Sequence, residues 1–288
     1  MAATLSTKTL RDKYRASQIQ LALRNALVAE KVCMVDNTEL KSISSPYLTA
    51  VSTVIQAVVG TYTPADLTTT DDTLTVADEA IAATHIFDFE KTTSNFDLFF
   101  TANQAITNSL VTAIDRWVVN NLCEDGTGTY TTPAGGFTTS SNVVTILANI
   151  ISKCSGYADA INGFYVIVEA TDLTGIIAAQ STTGFSYSDA AANNGFLTSL
   201  LGVDIYVVRP GTFVDAAATS VSGSKTWTNL GHRVGGVKKV STYASPRGIH
   251  FEEKGVSGKT GMEVVGIGYI GFKQWTPTAA LTIDITLA

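Results

Sequence analysis

Apolar residues recur at helical spacing in the stretch from Ser94 to Cys123, which predicts one long α-helix. Ser94 is a suitable N-cap, and Asp97 lies where a carboxylate stabilises free backbone N–H groups. No proline or glycine follows until Gly126, so at about 1.5 Å per residue the helix should be about 45 Å long. The predicted apolar stripe contains Leu98, Ala102, Ile106, Leu110, Ala113, Ile114, Trp117, Val118 and Leu122, and the predicted polar face contains Asn103, Gln104, Thr107, Asn108, Thr112, Asp115, Arg116 and Asn120.

A helix of this length exceeds the usual dozen or so residues, and its narrow apolar stripe indicates a scaffold element or coiled-coil arm. An ordinary core helix is the alternative. A second helical pattern, LRDKYRASQIQLALRNALVAEKV, precedes it within residues 1–34. That segment is basic and its apolar stripe is imperfect, so it either docks on a neighbouring subunit or forms an ordinary first helix of the domain.

The segment between these helices, residues 42–84, is rich in threonine and valine and predicts strands. Val51–Val59 and Thr73–Ala77 are the predicted strands, and the turn region contains Gly60, Pro64, Asp71 and Asp72. We expect a long, protruding β-hairpin, which needs a partner surface because isolated two-stranded hairpins are marginal in water. His85–Phe89 then alternates as a strand that leads into the long helix.

The second half predicts a small α/β unit over residues 127–211, followed by a β-rich end. The predicted elements of the unit are a loop over 127–141, a helix starting at Asn142, a buried strand Phe164–Glu169, a helix capped by Thr171 that runs through Gln180, and a strand Val203–Val208. The predicted elements after it are a loop-rich insertion over 212–235 containing Trp227, two long strands over 236–254 and 260–275 joined by the turn VSGK, and a final strand LTIDITL after Pro277. Glycines in the second long strand suggest close backbone approach or bending: Gly266, Gly268 and Gly271.

The chain has 288 residues, of which 45% are hydrophobic and only 15% are charged. So little charge suits a protein whose surface is largely covered by copies of itself, although a neutral, β-rich domain would have the same composition. The net charge of -6 is uneven, because cations predominate through residue 41 and from residue 225 onward, around an acidic middle. Cationic ends and an acidic body can attract one another between copies, and the acidic body argues against a dedicated nucleic-acid-binding protein.

Cysteine spacing and targeting signals exclude several classes of protein. Cys33, Cys123 and Cys154 are an odd number without CxxC spacing, which predicts buried thiols and no disulfide framework or zinc site. The first 15 residues have no apolar core, so no signal peptide is expected. The sequence contains no run of about 18 apolar residues, so no membrane-spanning helix is expected. We therefore expect a protein made in a cytoplasm, without a membrane partner.

No motif in the chain predicts an enzyme. SGKT at residues 257–260 lacks the glycine that a phosphate-binding P-loop needs, because Glu253 occupies that position, so a hairpin turn is the better interpretation. The adjacent Asp71 and Asp72 suit a solvated turn better than a cation site. No GxSxG occurs, no serine–histidine–aspartate set is recognisable, and the histidines are scattered without HExxH spacing or cysteine partners: His85, His232 and His250. We expect no catalytic residue, no metal site and no cofactor.

The order of these elements resembles the major capsid proteins of tailed bacteriophages, which have the Hong Kong 97-type fold. The most specific match is a helix, the apolar strand Phe164–Glu169, a short helix, Asn194–Gly195, and then Leu-Leu-Gly202 before Val203–Val208. The stretches HIFDFEKTTSNFDLF and AIDRWVVNNL, at the two ends of the long helix, are a second match. The resemblance covers nearly the whole chain and implies an α+β fold and no enzymatic activity.

The resemblance implies four parts: an N-terminal arm over 1–41, an E-loop β-hairpin over 42–84, a P-domain over 85–126 and 236–275 with the spine helix 94–123, and an A-domain over 127–235 and 276–288. It implies a late structural protein of the virion that assembles with itself, as hexamers and pentamers, into an icosahedral capsid around double-stranded DNA. Assembly would take place in the bacterial host cytoplasm. Scaffold, portal and cement proteins are the further partners that such a shell implies.

Two features depart from parts of that family. The arm begins almost at Met1, so we expect any scaffold to be a separate protein or absent. No lysine lies between Ser42 and Glu90, so this hairpin cannot supply the lysine crosslink that some members form. Deleting Thr49–Ala82 is expected to leave soluble protein that no longer forms shells. Two alternatives stay open, namely an encapsulin-like nanocompartment shell with the same fold, and an α/β enzyme or adhesion module built on 127–211.

Overall fold

The structure is a computed structural model of the chain, and it describes residues 28–37, 41–48, 69–88, 98–154, 163–183, 196–246, 248–255 and 260–288. These residues form a mixed α+β fold. The helices are α1 (Ala29–Val32), α2 (Leu98–Asp125), α3 (Ser140–Cys154) and α4 (Leu173–Thr183). The strands are β1 (Met34–Asp36), β2 (Ser42–Leu48), β3 (Thr69–Thr75), β4 (Asp78–Ile86), β5 (Gly128–Thr131), β6 (Phe164–Glu169), β7 (Phe196–Leu200), β8 (Val203–Val208), β9 (Asp215–Ala217), β10 (Thr226–Thr228), β11 (His232–Val237), β12 (Ser241–Ala244), β13 (Ile249–Gly255), β14 (Met262–Gln274) and β15 (Thr282–Thr286).

A six-stranded sheet with the order β5-β15-β11-β6-β8-β7 forms one half of the body. Strand β6 runs parallel to β8 and antiparallel to β11. Alternate residues of β6 point to opposite faces, so Val166 and Val168 pack with α3 and α4, whereas Tyr165 and Ile167 pack with α2. Because both faces of β6 are covered, its sequence is an almost continuous apolar run.

A five-stranded sheet forms the other half, with the order β1-β12-β14-β13 and with β4 also paired to β14. The first part of α2 crosses the long strand β14. Gly266 and Gly268 lie under the side chains of Ile106, Leu110 and Ile114, and a methyl group at Gly266 would collide with this helix. The expected close approach is therefore present at Gly266, whereas Gly268 has room for a side-chain carbon.

The long helix is confirmed from Leu98 onward and ends at Asp125, two residues beyond the predicted end. Its predicted cap, Ser94 and Asp97, lies outside the described residues. The predicted polar face is wrong at Asp115 and Asn120, which are both buried. The second half of α2 is enclosed on several sides and belongs to the main core. Its buried residues therefore lie on more than the one face that the apolar stripe predicts.

The prediction of a loop-rich insertion over residues 212–235 is wrong. It contains the hairpin β9–β10 and most of β11, which lies between β15 and β6 in the six-stranded sheet. Trp227 on β10 is fully buried, and its indole N–H donates to Oδ1 of Asn121 on α2 at 2.9 Å. This segment therefore covers the second half of the helix and is part of the core.

Other predicted limits also change. The strand expected over 236–254 is divided into the end of β11, β12 and β13, and Lys239 has a positive φ of 62° in the turn after β11. Asp71 and Asp72 lie within β3 and pair with β2, where a turn was expected. The helix expected to be capped by Thr171 is preceded by a 3-10 turn, whose capping box joins Glu169 and Asp172.

Several predictions fall on residues outside the described ranges, namely most of the N-terminal helix, Val51–Val59, Asn194–Gly195 and the VSGK turn. The amphipathic helix α3 and the strands β6 and β8 are confirmed. The three cysteines are free and buried, as expected. In the described part of the chain, no helix combines the length and apolar character that crossing a membrane requires.

Candidate assembly surfaces

Strands β2 and β3 form a two-stranded ribbon that extends from the body. Their register joins Ser42 to Thr75 at one end and Leu48 to Thr69 at the other. Among the described strands, neither pairs with a third one. Of the ribbon side chains that the structure describes, only Asp72 and Leu74 are buried, near the end that meets the body. The ribbon is therefore anchored at one end and largely exposed along the rest of its described length, with Ile43 and Tyr47 half-buried.

Asp72 is the polar anchor of the ribbon. Its carboxylate accepts hydrogen bonds from the backbone N–H and the hydroxyl of Thr276, both at 2.8 Å, and pairs with Lys273 at 2.7 Å. Burial acts to raise the pKa of Asp72, but the hydrogen bonds from Lys273 and Thr276 outweigh it and hold that pKa below its usual value. The solvated turn expected at this position is therefore wrong, since the carboxylate is already paired with a lysine.

The segment from Val28 to Asp36 docks against the body through backbone contacts. The N–H of Ala29 donates to Oδ1 of Asp115 on α2 at 2.8 Å. The ammonium group of Lys239 donates to the carbonyls of Glu30 and Cys33 at 2.7 and 2.5 Å. Strand β1 then pairs in parallel with β12. A carboxyl oxygen near the start of α1 and an ammonium group near its end thus satisfy free backbone groups of this short helix.

Asp115 is the ionisable group at this docking site. Burial raises the pKa of its carboxyl to about 7, although hydrogen bonds from the backbone of Ala29 and Val28 act in the opposite direction. Its position on α2 was predicted to face solvent. The segment therefore docks on a buried acid whose pKa is raised toward neutral pH.

The five-stranded sheet exposes apolar side chains on the face turned away from α2. Ile81 on β4 pairs with Ile267 on β14, and these residues lie on the face opposite Gly266. Ile81 is 55% exposed and Tyr269, further along β14, is 37% exposed. Three other exposed large apolar residues do not extend this face, since Phe251 pairs with Gly266 on the α2 side and Phe100 and Leu230 lie outside the sheet. Exposed apolar side chains grouped on one sheet face are typical of a surface that binds another protein.

A buried ionic cluster connects β11 to the end of β6. Arg233 donates from Nε to Asp172 at 2.6 Å and from a terminal nitrogen to Glu169 at 3.3 Å. The other oxygen of Glu169 accepts the backbone N–H groups of Thr212 and Phe213 at 3.0 and 3.3 Å. One guanidinium offsets part of the charge of two carboxylates, and the two backbone N–H groups further stabilise Glu169, so the cluster orders the chain between these elements.

No sequence motif predicts the second polar cluster. Cys123 at the end of α2 lies beside His232 on β11 and Asp284 on β15, so the expectation that no histidine has a cysteine partner is wrong. Burial, and then the charge of Asp284, raise the pKa of the Cys123 thiol well above its usual value. A buried, protonated thiol is a poor nucleophile, which argues against a cysteine-dependent hydrolase.

The other candidates for chemistry are not brought together. His85 packs edge-on against Phe87 with ring centroids 4.3 Å apart, and His250 stacks on Tyr269 at 5.6 Å. Residues 257–259 of the SGKT stretch lie outside the described residues.

No family model and no curated protein matches the sequence of this chain. Solved structures do match its fold. The capsid of cyanophage P-SCSP1u has a TM-score of 0.71 at 14% identity, covering 95% of this chain and 91% of that chain. The capsid of the native GTA particle has a TM-score of 0.67 at 14% identity, covering 100% of this chain and 99% of that chain. The acidic stable capsid of Helicobacter pylori bacteriophage KHP30 has a TM-score of 0.66 at 10% identity, covering 94% of this chain and 93% of that chain.

This chain has the fold of phage capsid proteins. The resemblance predicted from the order of the elements is confirmed at the level of the fold. The structural neighbours compared are capsids. The capsid fold also extends over both sheets of the body, because the matched share is more than nine-tenths of each chain.

Proposed function

We propose that this chain is a major capsid protein, many copies of which assemble into an icosahedral shell around the double-stranded DNA of a tailed bacteriophage. The observation that carries the proposal is the capsid fold, shared over more than nine-tenths of this chain and of each neighbour compared. The chain would act in the virion, after assembly in the host cytoplasm. It would enclose DNA without sequence-specific binding, since its body is acidic overall.

Four parts of the chain would make the contacts of assembly. We propose an N-terminal arm over 1–41 and an E-loop over 42–77. A P-domain would contain α2 and the five-stranded sheet, and an A-domain would contain the six-stranded sheet. These limits differ from the sequence-based ones at two points, because β4 pairs with β14 and β11 pairs with β6 and β15.

The ribbon β2–β3 would lie over the P-domain of the adjacent subunit. A two-stranded ribbon with few buried side chains is marginal by itself, so a neighbouring surface would stabilise it. The exposed apolar face around Ile81 and Tyr269 is a surface of suitable chemistry. Each subunit would present the same pair of surfaces, and this head-to-tail contact would close into hexamers and pentamers.

The contacts of the shell would be non-covalent in the hairpin, because no lysine lies between Ser42 and Glu90. Cationic residues near both chain ends would meet the acidic middle of a neighbouring copy. Portal and cement proteins, and a scaffold if one exists, would be its further partners in the particle.

Shortening the ribbon tests its role in assembly. Ser45 and Asp72 are registered partners, so replacing residues 46–71 with Asn-Gly would close the hairpin with a two-residue turn. This variant keeps the Asp72 anchor, Leu74 and all of β4. Deleting Thr49–Ala82 would be less informative, because it also removes part of β4 from the five-stranded sheet.

We expect the shortened variant to fold like the full chain, by circular dichroism and urea unfolding, but to form no shells in electron micrographs. The control is the unmodified chain prepared in parallel. Shells of normal size and yield from the variant would refute the proposed role of the ribbon. Nuclease-protected DNA inside particles from infected cells is expected, whereas protein cargo in its place would favour an encapsulin-like compartment.

A further inference from the structure

Three potential metal ligands meet where the end of α2 contacts the six-stranded sheet. Val234 on β11 is the registered partner of Asp284 on β15, and His232 is two residues before Val234. His232 and Asp284 therefore lie diagonally on the same sheet face. Cys123, in the last turns of α2, approaches that face from above. Three elements that are far apart in the sequence thus each contribute one side chain.

The distances between these groups are close to those that a bound ion requires. Sγ of Cys123 is 3.0 Å from Oδ1 of Asp284, and Nδ1 of His232 is 2.8 Å from the same oxygen. All three ligand atoms lie within 4.8 Å of one another. Bond lengths of about 2.0 to 2.3 Å in a tetrahedral site place ligand atoms about 3.3 to 3.7 Å apart. The two shortest separations need to widen by less than about 1 Å to admit an ion.

We propose that Cys123, His232 and Asp284 form a binding site for a divalent transition metal ion, with zinc as the best match. Thiolate, imidazole and carboxylate are the ligands that zinc uses in proteins, whereas magnesium and calcium prefer sites made of oxygen atoms alone. One thiolate and one carboxylate neutralise the two charges of the ion. Binding releases the thiol proton of Cys123 to solvent and involves no change of oxidation state.

The site opens toward the surface on one side. The side chains of His232 and Asp284 are 23% and 19% exposed, whereas Cys123 is buried. A water molecule or a side chain from another molecule can therefore supply the fourth ligand on the exposed side. The neighbouring Arg233 is paired with Glu169 and Asp172, so much of its charge is compensated within the protein.

The bound ion would join α2 to two strands of the six-stranded sheet. It would thus connect the helix of the proposed P-domain to the proposed A-domain without depending on shell assembly. This consequence is separate from the capsid proposal, since the site lies within one chain and is measurable in unassembled subunits or in shells.

Cobalt(II) titration of the purified, metal-free, full-length chain tests the site directly. We expect one cobalt ion per chain, an absorption band from thiolate-to-cobalt charge transfer, and displacement of cobalt by zinc. Cys123→Ser should abolish the band. His232→Asn should weaken binding by at least about 10- to 100-fold, the loss typical of removing even an outer-shell partner. The matched controls, Cys154→Ser and His250→Asn, should leave the spectrum and the stoichiometry unchanged.

The absence of a thiolate–cobalt band in the unmodified chain would overturn the proposal and leave a hydrogen-bonded trio that binds no metal. A band that persists in Cys123→Ser, or one that is lost in Cys154→Ser, would also overturn it. If Cys123→Ser does not fold, the affinity of His232→Asn decides, because the partly exposed imidazole tolerates replacement by another polar side chain. An unchanged affinity in that variant contradicts the site.

Discussion

Replacing Asp115 with asparagine should remove a pH dependence that this carboxyl imposes on the stability of the chain. Oδ1 of Asp115 accepts the backbone N–H of Ala29 at 2.8 Å, and asparagine retains an oxygen in that position. The substitution therefore removes the charge and the titration while it preserves the acceptor that holds the segment beginning at Val28. The comparison isolates ionisation from hydrogen bonding.

The expected magnitude follows from the pKa of the buried carboxyl. Burial raises this pKa from 3.8 to about 7 in the folded chain, against hydrogen bonds from the backbone of Ala29 and Val28. Between these pH values the folded chain retains a proton that the unfolded chain has released, so stability is highest below pH 4 and falls as pH rises to 7. Each unit of difference corresponds to about 1.36 kcal/mol, which gives a total loss of about 4 kcal/mol.

Urea unfolding of unassembled full-length subunits, measured from pH 4 to pH 8, provides the assay. The free energy of unfolding of Asp115→Asn is subtracted from that of the unmodified chain at each pH, so that titrations common to both chains cancel. We expect the difference to fall by about 4 kcal/mol as pH rises and then to stay constant. A flat difference, or one that increases with pH, would refute the argument that burial determines this pKa.

Two further substitutions test the packing of the body. Gly266→Val should destabilise the fold by about 1 to 3 kcal/mol in urea unfolding, because its side chain would collide with α2. Gly255→Val at an open position of β13 is the control and should cost much less; equal losses would contradict the account. Arg233→Met should cost about 3 to 5 kcal/mol, because it leaves two buried carboxylates without their cation. Lys254→Met removes only an exposed pair and should have no measurable effect, so similar losses in both variants would argue against the buried cluster.

The elements that the sequence predicts well are those in which buried positions give a clear hydrophobic pattern within the element itself. Strands β6 and β8 have the predicted limits, because each is an uninterrupted or nearly uninterrupted apolar run. Helix α3 shows one clear apolar face, and all five of its buried residues lie on that face. Helix α2 was recognisable by its length and by the absence of glycine and proline.

The elements that the sequence did not predict depend on partners far along the chain. The sequence of β11, HRVGGV, contains two glycines and two polar residues, and only its place between β15 and β6 makes it a core strand. Strand β2 contains three serines and Pro46, so only its pairing with β3 identifies it.

Polar contacts were harder still to predict. Asp72 bonds to Thr276 across 204 residues of sequence, and Ala29 bonds to Asp115 across 86. No periodicity or motif connects such positions. The meeting of Cys123 with Asp284 has the same origin, since their separation is 161 residues. Motifs for metal and catalytic sites identify residues that are close in sequence. They cannot predict a site whose residues are brought together only by tertiary packing.

Electron cryomicroscopy of the purified full-length chain under assembly conditions is the most direct test of the central claim. The account predicts closed shells built of hexamers and pentamers, in which the β2–β3 ribbon of each subunit contacts the five-stranded sheet of its neighbour. A chain that remains a single compact particle under all assembly conditions, with that ribbon folded back on its own body, would contradict it.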